Sequence, residues 1–277
     1  MTISSTHTMA LKSFQELISE SGMPKGRIAQ GPAPMVLPLN MPGSSPQTLL
    51  DIISKNSSFP LDALVLGIAE DGLPILLNLS ASDSCPLLVV GEAGSGKTQL
   101  LKAMANAVDL SQETSDIQFG VVTGHPDEWQ LVDTLPGNMG IWPVNHVSSQ
   151  QFIQRMVDWA RQPEHGHQMK ILFLDDLASV LKSSIDIQEN VKWLLVNGGK
   201  NHVWTVASLN VLKAVRLRTW LDLFNTQIFG YIQRPSLAQA ITAGSPFDFE
   251  SLVPGLEFEI KQQDGWLRFC LPALDIT

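Results

Sequence analysis

A short apolar run that leads straight into a glycine-rich loop is the feature that most restricts how this chain can fold. Residues 87–90, LLVV, have the composition of a buried strand, and residues 91–98, GEAGSGKT, fit the pattern G-x-x-x-x-G-K-[ST]. Residues 99–108 have helix-forming composition. Glycine allows backbone conformations that other residues avoid, so successive amide groups of such a loop can point at one anion. A strand, this loop and a helix in succession therefore predict a phosphate-binding loop.

The residues of this loop have distinct predicted roles in binding a nucleotide. Lys97 is expected to reach the β- and γ-phosphates, and the Thr98 hydroxyl is expected to bind Mg²⁺. The amino end of the following helix adds partial positive charge beside the phosphates. The predicted nucleotide-binding residues are Gly91, Glu92, Ala93, Gly94, Ser95, Gly96, Lys97, Thr98 and Gln99.

A second strand ends in two acidic residues that suit the chemistry of such a loop. Residues 171–174 form an apolar run, and Asp175 and Asp176 follow it directly. Ligands of open α/β sheets bind at the carboxyl ends of the strands, so we expect Asp175 to hold Mg²⁺, directly or through water. Asp176 is expected to orient the attacking water. By itself such a pair is equally typical of a helix cap or a strand end, so the prediction depends on the loop.

Composition restricts the class of protein further. The chain has 277 residues, 44% of them hydrophobic, which is enough for one large α/β domain and a short appendage. No apolar run approaches the ~18 residues of a membrane span and the start lacks an apolar signal-peptide centre, so we expect a soluble cytoplasmic protein. A net charge of −9 argues against a broad nucleic-acid-binding surface, although a narrow basic stripe inside a ring stays open. Cys85 and Cys270 are expected to be buried reduced thiols.

The amino-terminal part differs in composition from the rest of the chain. Apolar residues at helical spacing predict a short helix over residues 10–20, which packs on its own core or on a partner subunit. Proline and glycine recur over residues 23–46, as in a linker. We therefore divide the chain into a helix and linker over residues 1–46 and an ATPase-like domain over residues 47–277.

Strand and helix patterns alternate along the larger part. Asp71 and Gly72 separate two apolar runs and predict a hairpin, and a second hairpin is predicted over residues 256–271. Further strands are predicted over residues 117–123, 203–207 and 226–232, and helices over residues 149–161, over residues 186–196 and from Pro235 onward. Residues 135–140, rich in proline and glycine, are expected to form a crossing loop. This alternation predicts an α/β fold with a mainly parallel sheet flanked by helices, with β-hairpin additions.

From about residue 61 onward, the chain resembles the core ATPase domain of the FtsK/SpoIIIE group in the FtsK–HerA superfamily of P-loop proteins. Four segments carry the resemblance, in order: LVLGIAEDGLPILLNL, LFLDDLASVL, NGGKNHVWTVASLN and LVPGLEFEI. The resemblance implies a RecA-like sheet, ATP with Mg²⁺, and a homo-oligomeric ring, a hexamer, in which a neighbour contributes an arginine to the site. It also implies Lys97 and Thr98 as ligands of phosphate and magnesium, and Asp175 as the magnesium-linked acid.

The chain departs from that family at three positions that bear on hydrolysis. Asp176 stands where the family usually has a catalytic glutamate, and Leu209 stands where a glutamine is usual unless Asn210 substitutes for it. Gln227 stands where the family has an arginine. A carboxylate displaced by about one methylene group positions water less well, so hydrolysis is expected to be slow.

Other residues have two interpretations each. The candidates for an arginine supplied to a neighbour, each more typical of an ordinary solvated or helix-end arginine, are Arg155, Arg216, Arg218 and Arg234. His165 and His167 fit a polar loop better than a metal site, and residues 125–128 fit a surface turn better than a contact to phosphate or substrate. The tryptophans, Trp129 among them, fit the core or a subunit interface better than a base-stacking surface.

The leading hypothesis is an ATPase that couples ATP binding and hydrolysis to movement or remodelling of a polymer, with double-stranded DNA as the first candidate. One alternative is a nucleotide-dependent structural or switch protein with little turnover. A second alternative is a secretion-type ATPase that acts on protein segments.

Overall fold

The computed structural model describes residues 11–13, 48–55, 63–79, 81, 85–111, 117–162, 168–242, 248–262 and 265–273. The predicted linker over residues 23–46 and the pair His165 and His167 lie outside these ranges. In the described part, eleven strands form one sheet in the order β1-β3-β2-β11-β10-β9-β4-β8-β7-β5-β6. None of the helices described is long and apolar enough to cross a bilayer.

The strands and helices are numbered along the chain. The strands are β1 Leu11–Ser13, β2 Ala63–Ala69, β3 Pro74–Asn78, β4 Leu87–Gly91, β5 Ile117–Thr123, β6 Asn138–Pro143, β7 Met169–Asp175, β8 Val203–Asn210, β9 Thr226–Phe229, β10 Glu257–Gln262 and β11 Gly265–Cys270. The α-helices are α1 Leu49–Lys55, α2 Lys97–Ser111, α3 Gln130–Asp133, α4 Val147–Ala160, α5 Leu177–Val180, α6 Ile185–Asn197, α7 Val211–Ala214, α8 Arg218–Leu221 and α9 Pro235–Thr242.

The strands from β9 to β6 run parallel to one another and are covered on both faces. Successive residues of a strand point to opposite faces, so Leu87 and Val89 join one core cluster while Leu88 and Val90 join the other. Side chains of α2 belong to the first cluster, and side chains of α4 and α6 belong to the second. A sheet buried between helices explains the continuous apolar strand sequences and confirms the predicted α/β class.

The remaining five strands are antiparallel and extend the sheet beyond β9. The hairpin of β2 and β3 turns at Gly72, whose φ is +82°, and the Asp71 carboxylate accepts a hydrogen bond from the Leu73 amide at 3.0 Å. A second hairpin joins β10 and β11, and β10 pairs with β9. Both hairpins confirm the predicted additions to the parallel sheet.

Two segments differ from the prediction. Leu11–Ser13 forms a strand, with Leu11 opposite Leu77, so the helix predicted over residues 10–20 is wrong for these three residues. Asn138–Pro143 forms an edge strand beside β5 where a crossing loop was predicted. In both places an open sheet edge offers unpaired backbone groups, and pairing with it outweighs local periodicity and composition. The boundary at residue 46 stays a prediction.

The two cysteines are free thiols. Cys85 is buried, and this burial raises the pKa of its thiol to about 12. Its sulfur accepts a hydrogen bond from the amide of Thr205 at 3.4 Å. Cys270 is only half-buried, so the prediction of two buried thiols is confirmed for Cys85 alone.

Candidate functional site

The carboxyl ends of the parallel strands bring the predicted site residues to one edge of the sheet. Strand β4 ends at Gly91, which pairs with Asn210 at the end of β8. Strand β7 ends at Asp175, which pairs with Thr123 at the end of β5. Because β8 lies between β4 and β7, the glycine loop and the acidic pair are separated by one strand only. This edge is where open α/β sheets bind ligands.

The loop between β4 and α2 has the backbone conformation that its glycines predict. Gly94 has a φ of +78° and Gly96 a φ of +88°, which residues with a Cβ atom rarely adopt. A Cβ atom on Gly96 would also lie 2.7 Å from the Cα atom of Gly255. Gly255 belongs to the last of the four segments that resemble the family, so that segment packs directly against the loop. The loop is therefore closely packed at Gly96. At Gly94 its backbone is open to solvent, because nothing lies within 4 Å of a Cβ atom added there.

Lys97, the first residue of α2, is held by the loop itself. Its ammonium group donates a hydrogen bond to the carbonyl oxygen of Glu92 at 2.6 Å and lies 3.4 Å from the hydroxyl of Ser95. Burial lowers the pKa of Lys97, while the charges of Asp175, Asp176 and the Glu92 carboxylate oppose that lowering. The charge of Lys97 thus interacts with the charges of both predicted acidic residues.

Asp175 is the centre of a buried hydrogen-bond network and is 7% exposed. The Thr98 hydroxyl lies 3.1 and 3.2 Å from its two carboxylate oxygens, and the Ser208 hydroxyl donates at 2.8 Å. The Thr123 hydroxyl and the indole N–H of Trp129 each donate to Oδ2 at 3.2 Å. The structure therefore brings together Thr98 and Asp175, the two residues predicted to hold a metal.

Three of these donors were not predicted as site residues. Trp129 was expected in the core or at an interface, and it is fully buried, but it also orients the Asp175 carboxylate. Thr123 and Ser208 are polar residues at the ends of apolar strands that flank β7. That shared position is the signal that could have identified the two hydroxyl donors.

Asp176 lies just beyond β7 with a left-handed backbone, φ 73° and ψ 76°. Its amide donates to the Ser208 hydroxyl at 2.8 Å. Its Oδ2 atom accepts hydrogen bonds from the Ser179 hydroxyl at 2.6 Å and from the Lys213 ammonium at 2.7 Å. Burial raises the pKa of Asp176, but the hydrogen bonds from Lys213 and Ser179 outweigh that effect and lower it below its usual value.

The residues at which the sequence departs from the family's pattern make contacts within the fold. Leu209 is fully buried in the core, so it presents no polar group to the edge. The Asn210 side chain accepts a hydrogen bond from the Leu212 amide at 2.9 Å and caps α7. Gln227 donates to the carbonyl of Leu221 at 3.3 Å. The polar substitute predicted at residue 210 is therefore already used as a helix cap in this structure.

The four candidate arginines lie in different surroundings. The guanidinium of Arg155 lies 5.8 Å from the ring centre of Phe152, and Arg218 donates to the carbonyl of Ala240 at 3.2 Å. Arg216 and Arg234 are exposed. A role for any of them in a neighbouring subunit stays a prediction.

The residues at this edge suit a phosphate chain with a bound magnesium ion. Two positive-φ glycines leave backbone that an anion can approach, and Lys97 lies at the start of a helix of 15 residues. Thr98 and Asp175 supply oxygen ligands, which Mg²⁺ prefers. Among the described residues no group of three or more His, Cys, Asp or Glu could hold a metal. With Thr98 and Asp175 as its protein ligands, a magnesium ion would take its remaining ligands from phosphate oxygens and water, as is usual for nucleotide sites.

No protein-family model and no curated protein matches the sequence, but solved structures share its fold. ATPases 2 and 3 of EssC from Geobacillus thermodenitrificans align with a TM-score of 0.62 and 13% identity, over 76% of this chain and 44% of theirs. EccC ATPases 2 and 3 from Thermomonospora curvata, in complex with a signal sequence peptide, align with a TM-score of 0.60 and 12% identity, over 76% and 40%.

The monomer form of the pCW3 conjugation coupling protein TcpA with ATPγS aligns with a TM-score of 0.61 and 13% identity, over 79% of this chain and 68% of that one. The chain spans less than half of the EssC and EccC structures. At these identities the likeness concerns the fold alone, and it confirms the predicted RecA-like α/β fold of P-loop type.

Proposed function

We propose that this chain is a magnesium-dependent ATPase that couples ATP binding and hydrolysis to movement or remodelling of a polymer. The observation that carries the proposal is the arrangement of Lys97, Thr98 and Asp175 at the end of β4 and β7, beside a loop shaped by two positive-φ glycines. The fold shared with TcpA, whose structure contains ATPγS, supports nucleotide binding.

Each residue of the site has a proposed part in the reaction. Residues 91–99 bind the phosphates through backbone amides and through the Lys97 ammonium, which leaves the Glu92 carbonyl to do so. Thr98 and Asp175 hold Mg²⁺, and the hydroxyls and indole around Asp175 fix its orientation. When bound there, the ion would neutralise charge that develops on the phosphates. Asp176 orients the attacking water.

The proposed turnover is slow. Aspartate is one methylene shorter than the glutamate usual at residue 176, and its Oδ2 atom is already bonded to Ser179 and Lys213. Positioning supplies most of the rate in phosphoryl transfer, so both features reduce it. The alternative of a nucleotide switch with negligible turnover rests on the same observation.

The proposal also covers the oligomeric state, the cellular location and the polymer. We propose a homo-oligomeric ring, a hexamer by resemblance, in the cytoplasm, acting on double-stranded DNA. The net charge of −9 restricts DNA contacts to a narrow surface. A protein segment is the second candidate polymer, because EccC, which shares the fold, was solved with a signal sequence peptide.

The test is an ATP-binding and hydrolysis assay of the wild type and Lys97→Ala, with and without double-stranded DNA, together with the oligomer mass. Lys192→Ala, at an exposed lysine of α6, is the matched control. We expect the wild type and the control to bind ATP and to hydrolyse it slowly, and we expect Lys97→Ala to lose binding.

The possible outcomes separate the proposals. A wild type that neither binds nor hydrolyses ATP refutes the central proposal. Tight binding without turnover, with and without DNA, supports the switch. DNA-stimulated turnover that falls steeply with salt supports a DNA substrate, because protein–phosphate contacts release counterions. Stimulation by a peptide alone supports the secretion-type alternative.

A further inference from the structure

Of the two carboxylate oxygens of Asp176, one is hydrogen-bonded and the other is buried. Its Oδ2 atom accepts two hydrogen bonds, from Ser179 and Lys213. Its Oδ1 atom is buried and has no hydrogen-bond partner among the described residues. A carboxylate that orients water needs an accessible oxygen with a free lone pair. Asp176 must therefore change its contacts before it can act on water.

Of the two groups that bond to Oδ2, Lys213 is the one that can leave at low cost. The side chain of Lys213 is 41% exposed and that of Asp176 is 35% exposed. Ion pairs at such exposure contribute little net stability, because both groups are well solvated when apart. Ser179 lies on the helix that begins beside Asp176, so its hydroxyl stays next to the carboxylate. The hydrogen bond from Lys213 to Asp176 is therefore the one that another ligand can break.

The ammonium of Lys213 also lies near the proposed phosphate site. Lys213 binds Asp176 at 2.7 Å, and the Ser208 hydroxyl links the acidic pair, because it accepts from the Asp176 amide and donates to Asp175. Asp175 in turn lies 3.1 Å from the hydroxyl of Thr98, the residue after Lys97, so two lysines and two aspartates lie in one small region at the end of β7 and β8. A terminal phosphate brings more negative charge than one carboxylate and forms strong charge-assisted hydrogen bonds with lysine. A triphosphate held by Lys97 would therefore compete with Asp176 for Lys213.

We propose that Lys213 is a second phosphate-binding lysine, which restrains Asp176 until the γ-phosphate of a bound nucleoside triphosphate takes its place as the partner of the ammonium group. This inference rests on the function proposed above and adds a regulatory contact to that site. It makes the release of Asp176 depend on the γ-phosphate, so a diphosphate leaves the ion pair intact.

Nucleotide affinity tests the inference without depending on turnover. We expect Lys213→Met to weaken binding of a non-hydrolysable ATP analogue by about tenfold or more, since a charge-assisted hydrogen bond is lost. Affinity for ADP should change by less than about twofold, because no γ-phosphate is present. Lys213→Arg, which keeps the charge, should retain most of the triphosphate affinity. Lys192→Met is the matched control, and a thermal melt shows that each variant is folded.

A double-mutant cycle separates competition from simple repulsion. Asp176→Asn should strengthen binding of the ATP analogue, and this gain should shrink in the Lys213→Met background, because no lysine remains to be released. If Asp176 only repels the γ-phosphate, the gain will be equal or larger in that background, and the inference is overturned. It is also overturned if Lys213→Met affects the two nucleotides equally or affects neither. A wild type that binds neither nucleotide refutes the proposed function itself.

Discussion

Glu259, far from the loop in sequence, is predicted to make the stability of the protein depend on pH. Its side chain lies on β10 and is 1% exposed. One oxygen accepts a hydrogen bond from Arg268 at 2.9 Å, and the other has no hydrogen-bond partner among the residues described. Burial raises the pKa of Glu259 to about 7, against the opposing effect of Arg268 and with a contribution from Glu70 and Glu257.

The direction of this pH dependence follows from the pKa values of Glu259 in the folded and the unfolded chain. The ordinary pKa of the carboxyl is 4.5, so between 4.5 and about 7 the folded protein binds a proton that the unfolded chain releases. The stabilisation from this proton is complete below the unfolded pKa and is lost as the pH rises through the folded pKa. The difference between the two pKa values corresponds to roughly 3 kcal/mol at most. We therefore expect the titration of Glu259 to lower the free energy of unfolding of the wild type by up to that amount as the pH rises.

The variant Glu259→Gln isolates the effect, because an amide does not titrate. Urea unfolding of both proteins at several pH values between 5 and 8 gives their difference in free energy of unfolding. That difference should move by about 2–3 kcal/mol in favour of the variant as the pH rises. Glu189→Gln, at an exposed glutamate of α6, is the matched control. A difference between wild type and Glu259→Gln that stays constant across this range refutes the reasoning.

Two further predictions concern the glycine loop and the buried thiol. Gly94→Ala and Gly96→Ala each place a Cβ atom at a positive φ, which costs about 1–2 kcal/mol, but only Gly96→Ala also meets Gly255, at 2.7 Å. Thermal melts should therefore rank Gly96→Ala as clearly less stable than Gly94→Ala, and equal melting temperatures would contradict that packing. Cys85, with a pKa raised to about 12, should resist alkylation in the folded protein at pH 8 and react only in denaturant. Mass spectrometry distinguishes its label from that on the half-buried Cys270.

The parts of the site that depend on a few consecutive residues could be predicted from the sequence. The loop of residues 91–98 needs glycine at particular positions, and the structure places Gly94 and Gly96 at positive φ. Asp175 follows an apolar run that becomes β7, and its place at the carboxyl edge follows from the parallel sheet. These features of the candidate site thus depend on short stretches of sequence, namely a loop and the end of a strand.

The contacts that tune this site could not be predicted in the same way. Trp129 bonds to Asp175 across 46 residues of sequence, and Lys213 bonds to Asp176 across 37. An indole N–H or a lysine on a short helix has many possible partners, and no local pattern selects one of them. Their partners depend on which strands and helices lie side by side.

Local backbone demands and the alternation of apolar residues come from the sequence alone, and they determined the phosphate loop, the hairpins and the α/β class. Only the tertiary structure decided that Leu11–Ser13 and Asn138–Pro143 pair with open sheet edges, and that Asp175 accepts hydrogen bonds from four separate segments of the chain. The physical reason is that these contacts join distant segments. Their free energy depends on the order of strands in the sheet, which no single stretch of sequence contains.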